Sequence, residues 1–214
     1  MDNIVEISCL KHRYEDGTQV HICNSHFSAK AGEIVVVTGK NGSGKSTLLH
    51  HIVGLLEPTV GKVKVFGIDV SKKEFEKLRK DIGVVLQDVD EQLISPTVYE
   101  DIAFSPINYN WTKEKIDSEV KKLLELLKIS HLKDKAPHYL SGGEKKKVAL
   151  AGALIMHPKI LILDELFANM DKESKETISK LLIDLNKKNK TTIIMTSHES
   201  ETIKKFNARI FKIE

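Results

Sequence analysis

Four short runs of β-branched and other apolar residues recur along the 214-residue chain without alternating with polar residues. The runs are "EIVVVTG" at 33–39, "DIGVVLQ" at 81–87, "KILILDE" at 159–165 and "TTIIMTSH" at 191–198. Apolar runs of this kind predict strands that are buried on both faces of a parallel sheet. Because helical stretches separate the runs, we predict an α/β layered protein with right-handed strand–helix–strand crossovers.

Two further patterns predict smaller parts beside this sheet. The first thirty residues and the segment 61–70 alternate apolar and polar residues, which predicts a smaller antiparallel sheet. Apolar residues at helical spacing follow Thr112, which is a typical N-cap residue. We therefore predict a single domain over 1–214, with a core at about 1–88 and 155–214 and an inserted helical subdomain at about 89–154.

Composition and charge exclude several classes of protein. Apolar residues make up 41% and charged residues 29% of the chain, as in soluble globular proteins. No apolar run approaches the roughly 18 residues that cross a bilayer, and "MDNIVEIS" has no export signal, so we predict a cytoplasmic location. A net charge of +3 predicts no nucleic-acid partner, and runs such as "EKKKV" are predicted to be solvated. Cys9 and Cys23 are predicted to be reduced thiols.

A glycine-rich stretch, "GKNGSGKST", stands between the first predicted strand and a predicted helix. It fits G-x-x-x-x-G-K-[ST], whose glycines turn the backbone so that successive N–H groups and the helix N-terminus point at phosphate. We expect Lys45 to contact the β- and γ-phosphates of a nucleotide, Ser46 to ligate Mg²⁺ and Thr47 to bond a phosphate oxygen. The predicted phosphate-binding residues are Gly39, Lys40, Asn41, Gly42, Ser43, Gly44, Lys45, Ser46 and Thr47.

Polar residues follow the other three strands, and the carboxyl ends of parallel strands share one edge, where ligands bind. Asp164 is predicted to hold Mg²⁺, directly or through water, and Glu165 to polarise or deprotonate the attacking water. Gln87 is predicted to reach metal or water, and His198 to donate to the γ-phosphate. The predicted catalytic residues are Glu165, His198, Lys45 and Gln87, and the predicted metal ligands are Ser46, Gln87 and Asp164.

A second glycine-rich turn opens a second helix in "YLSGGEKKKVAL", residues 139–150. Ser141 followed three residues later by Glu144 is the pattern of a capping box. A capped helix with glycines in its first turn is also an anion site. Because the first loop already encloses the chain's own phosphates, we expect this turn to face the ATP of another copy or partner, in a sandwich dimer.

Over nearly its whole length the chain resembles the ABC-transporter ATPase domain. The matching residues, in the family's order, are Tyr14, the Walker A loop at 39–47, Gln87 of the Q-loop, "LSGGE" at 140–144, "ILILDE" at 160–165, Asp171 of the D-loop and His198 of the switch. The resemblance implies a P-loop NTPase fold, ATP and Mg²⁺ as cofactors, and ATP hydrolysis. It also implies that Tyr14 stacks on adenine and that Asp171 couples two sites. The implied contacts to the ATP of the other protomer come from Ser141, Gly142, Gly143 and Glu144.

The segment "LQDVDEQLISPTVYEDIAFSPIN" at 86–108 is similar to the corresponding segment of cobalt-type and energy-coupling-factor ATPases. This finer resemblance implies a peripheral protein at the cytoplasmic face of the membrane that powers the import of metal ions or vitamins. The implied partners are a second ABC ATPase, identical or paralogous, a transmembrane coupling subunit and a substrate-binding membrane protein.

Three residues depart from the family's usual pattern. Glu144 stands where Gln is commonest, Lys147 where Arg is frequent and Leu166 where Pro is usual, which we expect to affect rate and dimer affinity rather than the type of reaction.

Two alternative functions stay open. A soluble ABC ATPase acting on DNA or ribosomes usually carries long insertions, zinc modules or a second fused ATPase domain. An ordinary P-loop kinase would leave "LSGGE" and His198 unexplained.

Overall fold

The computed structural model describes residues 3–22, 26–70 and 72–213. The strands are β1 (Asn3–Arg13), β2 (Gln19–Ile22), β3 (Phe27–Lys30), β4 (Ile34–Thr38), β5 (Val60–Val65), β6 (Ile68–Asp69), β7 (Ile82–Val85), β8 (Ile160–Leu163), β9 (Thr192–Thr196) and β10 (Arg209–Lys212). The α-helices are α1 (Lys45–Ile52), α2 (Lys72–Leu78), α3 (Val98–Asn108), α4 (Lys113–Leu126), α5 (Gly142–Leu154), α6 (Lys172–Asn189) and α7 (Ser200–Lys205). Short 3-10 turns lie at Arg79–Asp81, Ser130–Leu132 and Pro137–Tyr139.

The central sheet is parallel, with strand order β10-β4-β9-β8-β7. Strands β4, β7, β8 and β9 are buried on both faces, although their side chains point alternately to opposite sides. In β4, Val36 belongs to the apolar core on one side of the sheet, whereas Val35 and Val37 belong to the core on the other side. The unalternating apolar runs therefore arise because neither face of these four strands meets solvent, and the predicted α/β fold is confirmed.

A second, antiparallel sheet has the order β2-β1-β5-β6, and β3 also pairs with β1. Its apolar face shares one core cluster with α1 and with one face of the parallel sheet. Leu48, Leu49 and Ile52 are the buried apolar residues of α1 in this cluster. The first helix is consequently fixed by both sheets, which holds the loop that precedes it in place.

Three helices, α3, α4 and α5, lie between β7 and β8 in the chain and pack on the opposite face of the parallel sheet. The Thr112 side chain accepts a hydrogen bond from the Lys115 N–H at the start of α4, as expected for an N-cap. These helices and the sheet share one continuous apolar core. The boundary of the helical subdomain at about 89–154 stays a prediction.

Two sequence-based expectations about local structure are wrong. Cys9 is disulfide-bonded rather than reduced, and Cys23 lies outside the described residues. The lysines of "EKKKV" are not a solvated face, because Lys145 and Lys146 are partly buried and bonded to other segments.

Among the described residues, every helix is either too short or too polar to cross a bilayer.

Helix α5 approaches β7 closely at Gly83. A Cβ atom added to Gly83 would lie 2.2 Å from the carbonyl oxygen of Ala153 and 3.0 Å from Cδ1 of Leu161. The absent side chain therefore lets the α5 backbone lie directly on the strand.

We expect Gly83→Ala to lower the free energy of unfolding by about 1–3 kcal/mol, because the methyl group must displace the backbone of α5. Urea denaturation followed by circular dichroism measures this. Gly152→Ala is the matched control on α5, since its Cβ would meet only the carbonyl oxygen of Asp101, at 3.9 Å. The control should be neutral or more stable by up to about 1 kcal/mol, and equal stability of the two variants would contradict the close approach.

Candidate active site

The glycine-rich loop runs from the end of β4 to the start of α1. Gly44 is the N-cap of α1 and has φ +94°, which is a left-handed conformation. A Cβ atom there would lie 2.3 Å from Cγ1 of Val20, so both the backbone and the packing require glycine. The antiparallel sheet thus presses on the loop and shapes it as a concave cradle at a helix N-terminus, which suits phosphate.

Lys45 is the charged group of this cradle. Its side chain is buried, and Nζ donates hydrogen bonds to the carbonyl oxygens of Gly39 and Lys40 at 3.1 and 3.0 Å. The ammonium therefore lies inside the curve of the loop instead of extending into solvent. A cavity of about 290 Å³ lies beside it, and its walls include Tyr14, Thr47, Gln87 and Glu165.

The predicted metal ligands come together in a neighbouring cleft of about 810 Å³, which Ser46, Gln87 and Asp164 all line. The Ser46 hydroxyl and Oε1 of Gln87 are 3.5 Å apart. Asp164 is 2% exposed, and its Oδ2 atom has no hydrogen-bond partner in the described part of the chain. A buried carboxylate oxygen needs a compensating cation or hydrogen bond, and Mg²⁺ prefers hydroxyl, amide and carboxylate oxygens. These side chains therefore fit a magnesium ion.

Thr196, at the end of β9, holds both acidic residues that follow β8. Its hydroxyl donates to Oδ1 of Asp164 at 2.5 Å and accepts the backbone N–H of Glu165 at 2.8 Å. The parallel register pairs Leu163 with Met195, so Thr196 comes level with Asp164. Sequence reasoning missed this residue, because its role depends on the register between two strands that the sequence does not show.

Glu165 and His198 lie together at the same edge of the sheet. Nε2 of His198 is 3.5 Å from Oε1 of Glu165, and both side chains are partly accessible to solvent. The backbone of Glu165 has φ +48°, which is strained for a residue with a side chain. Strained residues cluster at sites where a side chain must point in a fixed direction. The structure therefore brings together the two residues that the sequence predicts to act on the γ-phosphate and the attacking water.

Tyr14 lies beside the phosphate loop. Its hydroxyl and the Thr47 hydroxyl form a hydrogen bond of 2.8 Å. The ring also meets the His12 ring edge-on, with centroids 4.5 Å apart. Tyr14 is therefore held beside the loop, and its stacking on adenine stays a prediction.

The second glycine-rich turn forms the predicted capping box. The Ser141 hydroxyl accepts the N–H of Glu144, while Oε2 of Glu144 accepts the N–H of Ser141 at 2.8 Å. The Ser141 hydroxyl also donates to Oε2 of Glu144 at 2.7 Å, and this bond together with the one from the Ser141 N–H holds the pKa of Glu144 below its ordinary value. Added Cβ atoms on Gly142 and Gly143 would meet no other atom within 4 Å, so the first turn of α5 is open on its glycine side.

Asp171, predicted to couple two sites, is the N-cap of α6. Its side chain accepts the N–H of Ser174 at 2.8 Å, and this bonding lowers its pKa. Asp171 is exposed in the single chain. The structure thus gives Asp171 a local capping role, while a coupling role stays a prediction.

Comparison with known proteins identifies the family. The profile of the ABC transporter family matches residues 22–168, more than half of the chain. The chain belongs to the ABC transporter family. The energy-coupling factor transporter ATP-binding protein EcfA of Methanocaldococcus jannaschii is 43% identical over 210 residues, which are 97% of this chain and 75% of that protein. EcfA of Methanothermobacter thermautotrophicus is 40% identical over 210 residues, 97% of this chain and 67% of that protein.

Two solved structures of ABC proteins are also similar. The cbiO1 protein of Clostridium perfringens, described as part of the ABC transporter complex cbiONQ, is 38% identical with a TM-score of 0.83, covering 100% of this chain and 86% of that one. A dimeric ATP-binding cassette in a post-hydrolysis state, bound to ADP and phosphate, is 28% identical with a TM-score of 0.88, covering 98% and 94%. The predicted ABC ATPase fold, the relationship to energy-coupling-factor ATPases and the assignment as an ATPase are confirmed.

We expect Thr196→Val to raise the Mg²⁺ concentration needed for half-maximal ATPase activity by about 10- to 100-fold, because Asp164 and Glu165 lose the hydroxyl that orients them. A Mg²⁺ titration at saturating ATP measures the effect.

Thr192→Val is the matched control for this substitution. Thr192 is buried in the same strand at its other end, where the hydroxyl donates to the Lys30 carbonyl at 3.2 Å and accepts the Gly32 N–H at 2.8 Å. This variant should lose stability but keep the Mg²⁺ dependence of the unmodified protein. Equal Mg²⁺ curves for the two variants would contradict a role of Thr196 at the metal site.

Proposed function

We propose that this ABC ATPase powers a membrane importer of metal ions or vitamins through ATP-driven closure of two ATPase subunits. One observation carries the proposal: the chain has a complete phosphate cradle with hydrolytic residues at one place and an open, capped glycine turn at another. The resemblance to EcfA and to the cbiO1 protein supports the importer class. ATP binding would close the two subunits and hydrolysis would let them separate, and this movement would drive the membrane partner.

The first half-site binds and hydrolyses ATP. Lys45 exchanges its loop carbonyl partners for β- and γ-phosphate oxygens, and the loop N–H groups hold the remaining oxygens. Ser46, Gln87 and Asp164 would hold Mg²⁺, which would neutralise phosphate charge. Glu165 accepts a proton from the attacking water or orients it, and His198 donates a hydrogen bond to the γ-phosphate. Tyr14 stacks on the adenine ring.

The second half-site completes the cage around the ATP of the other protomer. The Ser141 hydroxyl and the Gly143 N–H donate to that γ-phosphate, and the N-terminal dipole of α5 adds to the attraction. Asp171 lies at the same interface and links the two sites. Loss of the γ-phosphate by hydrolysis removes the group that joins the protomers, so they separate.

A groove beside the Q-loop segment suits a membrane partner. It has a volume of about 630 Å³ and lies between β7, α3 and α5. Apolar side chains at its rim are exposed, including Ile94 at 72% and Phe104 at 53%. Asp101 fixes the rim, because its carboxylate accepts the N–H groups of Ile94 and Ser95.

We assign this groove to a cytoplasmic helix of the transmembrane coupling subunit, which in turn contacts the substrate-binding membrane protein. Exposed apolar residues around a concave surface favour a helix with a complementary apolar face. Val84 and Gln92 line the groove, and the Gln92 side chain donates to the Val84 carbonyl. Both residues belong to the same segment as Gln87, so a movement of Gln87 at the nucleotide can move the docked helix. The protein would then work at the cytoplasmic face of the membrane.

Glu165→Gln should keep ATP binding and lower turnover by about 10²- to 10⁴-fold, because the neutral amide cannot accept a proton. The same variant should accumulate as an ATP-bound dimer in static light scattering. Adding Ser141→Arg should leave ATP binding intact and return the protein to a monomer, because the bulky cation blocks the second half-site. Near-normal turnover of Glu165→Gln, or dimers that survive Ser141→Arg, would contradict this mechanism.

Phe104→Glu should abolish co-purification with the transmembrane subunit from native membranes, because a carboxylate would enter an apolar contact. Mass spectrometry of the purified complex identifies the partner. Leu126→Glu is the control, since Leu126 is equally exposed, at 54%, on α4. Both variants should keep the thermal stability of the unmodified protein. Recovery of ribosomes or DNA instead of an integral membrane protein would favour the soluble alternative.

A further inference from the structure

Lys146 joins the helix that opens with Ser141 to the segment that contains Glu165. It lies in α5, and its Nζ donates to the carbonyl oxygens of Glu165 at 2.9 Å and of Ala168 at 2.8 Å. Burial lowers the pKa of the ammonium, and the nearby Glu165 charge acts in the opposite direction. A partly buried ammonium that bonds to carbonyls of one short segment fixes that segment in space.

The segment that Lys146 holds has a left-handed residue at each end. Glu165 has φ +48° and Asn169 has φ +58°, a region that is strained for glutamate, whereas asparagine tolerates it. Three hydrogen bonds hold the Glu165 peptide units: Thr196 accepts its N–H, while Lys146 and the Ala168 N–H donate to its carbonyl. Thr196 lies in β9 and Ala168 lies in the same segment as Glu165, whereas Lys146 is the partner that belongs to α5.

The two neighbouring lysines act elsewhere. Lys145 forms a 2.5 Å ion pair with Asp90, in the segment after β7. The charge of Lys147 contributes to the lowered pKa of Asp171. The three consecutive lysines thus interact with three different segments. Of the three, only Lys146 bonds the main chain next to the predicted catalytic carboxylate.

We propose that Lys146 is a positioning residue that transmits the engagement of Ser141 at the partner's ATP to Glu165 of its own chain. This inference rests on the proposed sandwich. Because α5 is a continuous helix with a closed capping box, a shift of its first turn moves the Lys146 side chain with it. A movement of the ammonium displaces the Glu165 carbonyl and redirects its carboxylate. Each site would therefore become hydrolytically competent only when the opposite site is closed.

The test replaces Lys146 by Met, which keeps the length and apolar stem but removes the N–H donors. We expect kcat to fall by about 10- to 100-fold, because small misplacements of a catalytic group have effects of this size. The dependence of the rate on ATP should change from cooperative to hyperbolic. ATP affinity, measured with a fluorescent ATP analogue, should stay unchanged, and Lys146→Arg should recover most of the lost kcat and the cooperativity.

Controls separate positioning from general damage. Lys145→Met, one residue away on the same helix, should keep both kcat and cooperativity. Lys146→Met combined with Glu165→Gln should still dimerise with ATP, since the phosphate contacts are intact. If Lys146→Met does not fold, Lys146→Leu, which also lacks N–H donors, is measured with the same expectation for kcat and cooperativity.

The outcomes distinguish this inference from the proposed function. Absence of an ATP-dependent dimer in Glu165→Gln alone would overturn the sandwich itself. An ATP-dependent dimer together with unchanged kcat and cooperativity in the Lys146 variants would overturn only the role of Lys146. If ATP affinity, kcat and thermal stability all fall in Lys146→Met and do not recover in Lys146→Arg, Lys146 has a structural role, and the proposed positioning role is also overturned.

Discussion

The parallel pairing of β4, β7, β8 and β9 is the constraint on which the rest of the molecule depends. Because all four strands point the same way, their carboxyl ends meet at one edge, and the residues that follow them are brought together. The phosphate loop follows β4, Gln87 follows β7, the acidic pair follows β8 and His198 follows β9. No single segment of the chain could assemble this set, since each supplies only some of its side chains.

The same edge concentrates buried polar groups, which are costly unless they are satisfied. Lys45 is satisfied by loop carbonyls, and one oxygen of Asp164 is satisfied by Thr196, whereas its other oxygen has no partner in the described structure. Such groups reduce the stability of the isolated chain and gain partners when an anion and a cation bind. The site therefore lowers the stability of the fold, and the apolar cores on both faces of the sheet compensate for this loss.

Much of this arrangement could be predicted from the sequence because it depends on local patterns. Apolar runs predict the strands, the glycine loop predicts the phosphate cradle, and Ser141 with Glu144 predicts a capping box that the structure contains. Thr196 and Lys146 could not be predicted in this way, because their roles depend on strand register and on the direction in which a helix packs. "EKKKV" illustrates the difficulty: its composition is that of a solvated surface, but Lys145 and Lys146 are partly buried, and Lys146 bonds the main chain beside Glu165. The disulfide at Cys9 depends on tertiary proximity and gives no signal in the spacing.

Glu144 affects how strongly two such chains would associate in the proposed ATP-bound dimer. The Ser141 hydroxyl lies 2.7 Å from Oε2 of Glu144 and donates to it, so this hydroxyl must change partner before it can donate to a phosphate. The lowered pKa of Glu144 keeps a negative charge beside the same helix N-terminus, where it repels an incoming phosphate while the helix dipole attracts it. A glutamine at this position would lack that charge. In the proposed dimer, closure would then depend on the phosphate contacts of both sites acting together, and loss of one γ-phosphate would let the two chains separate.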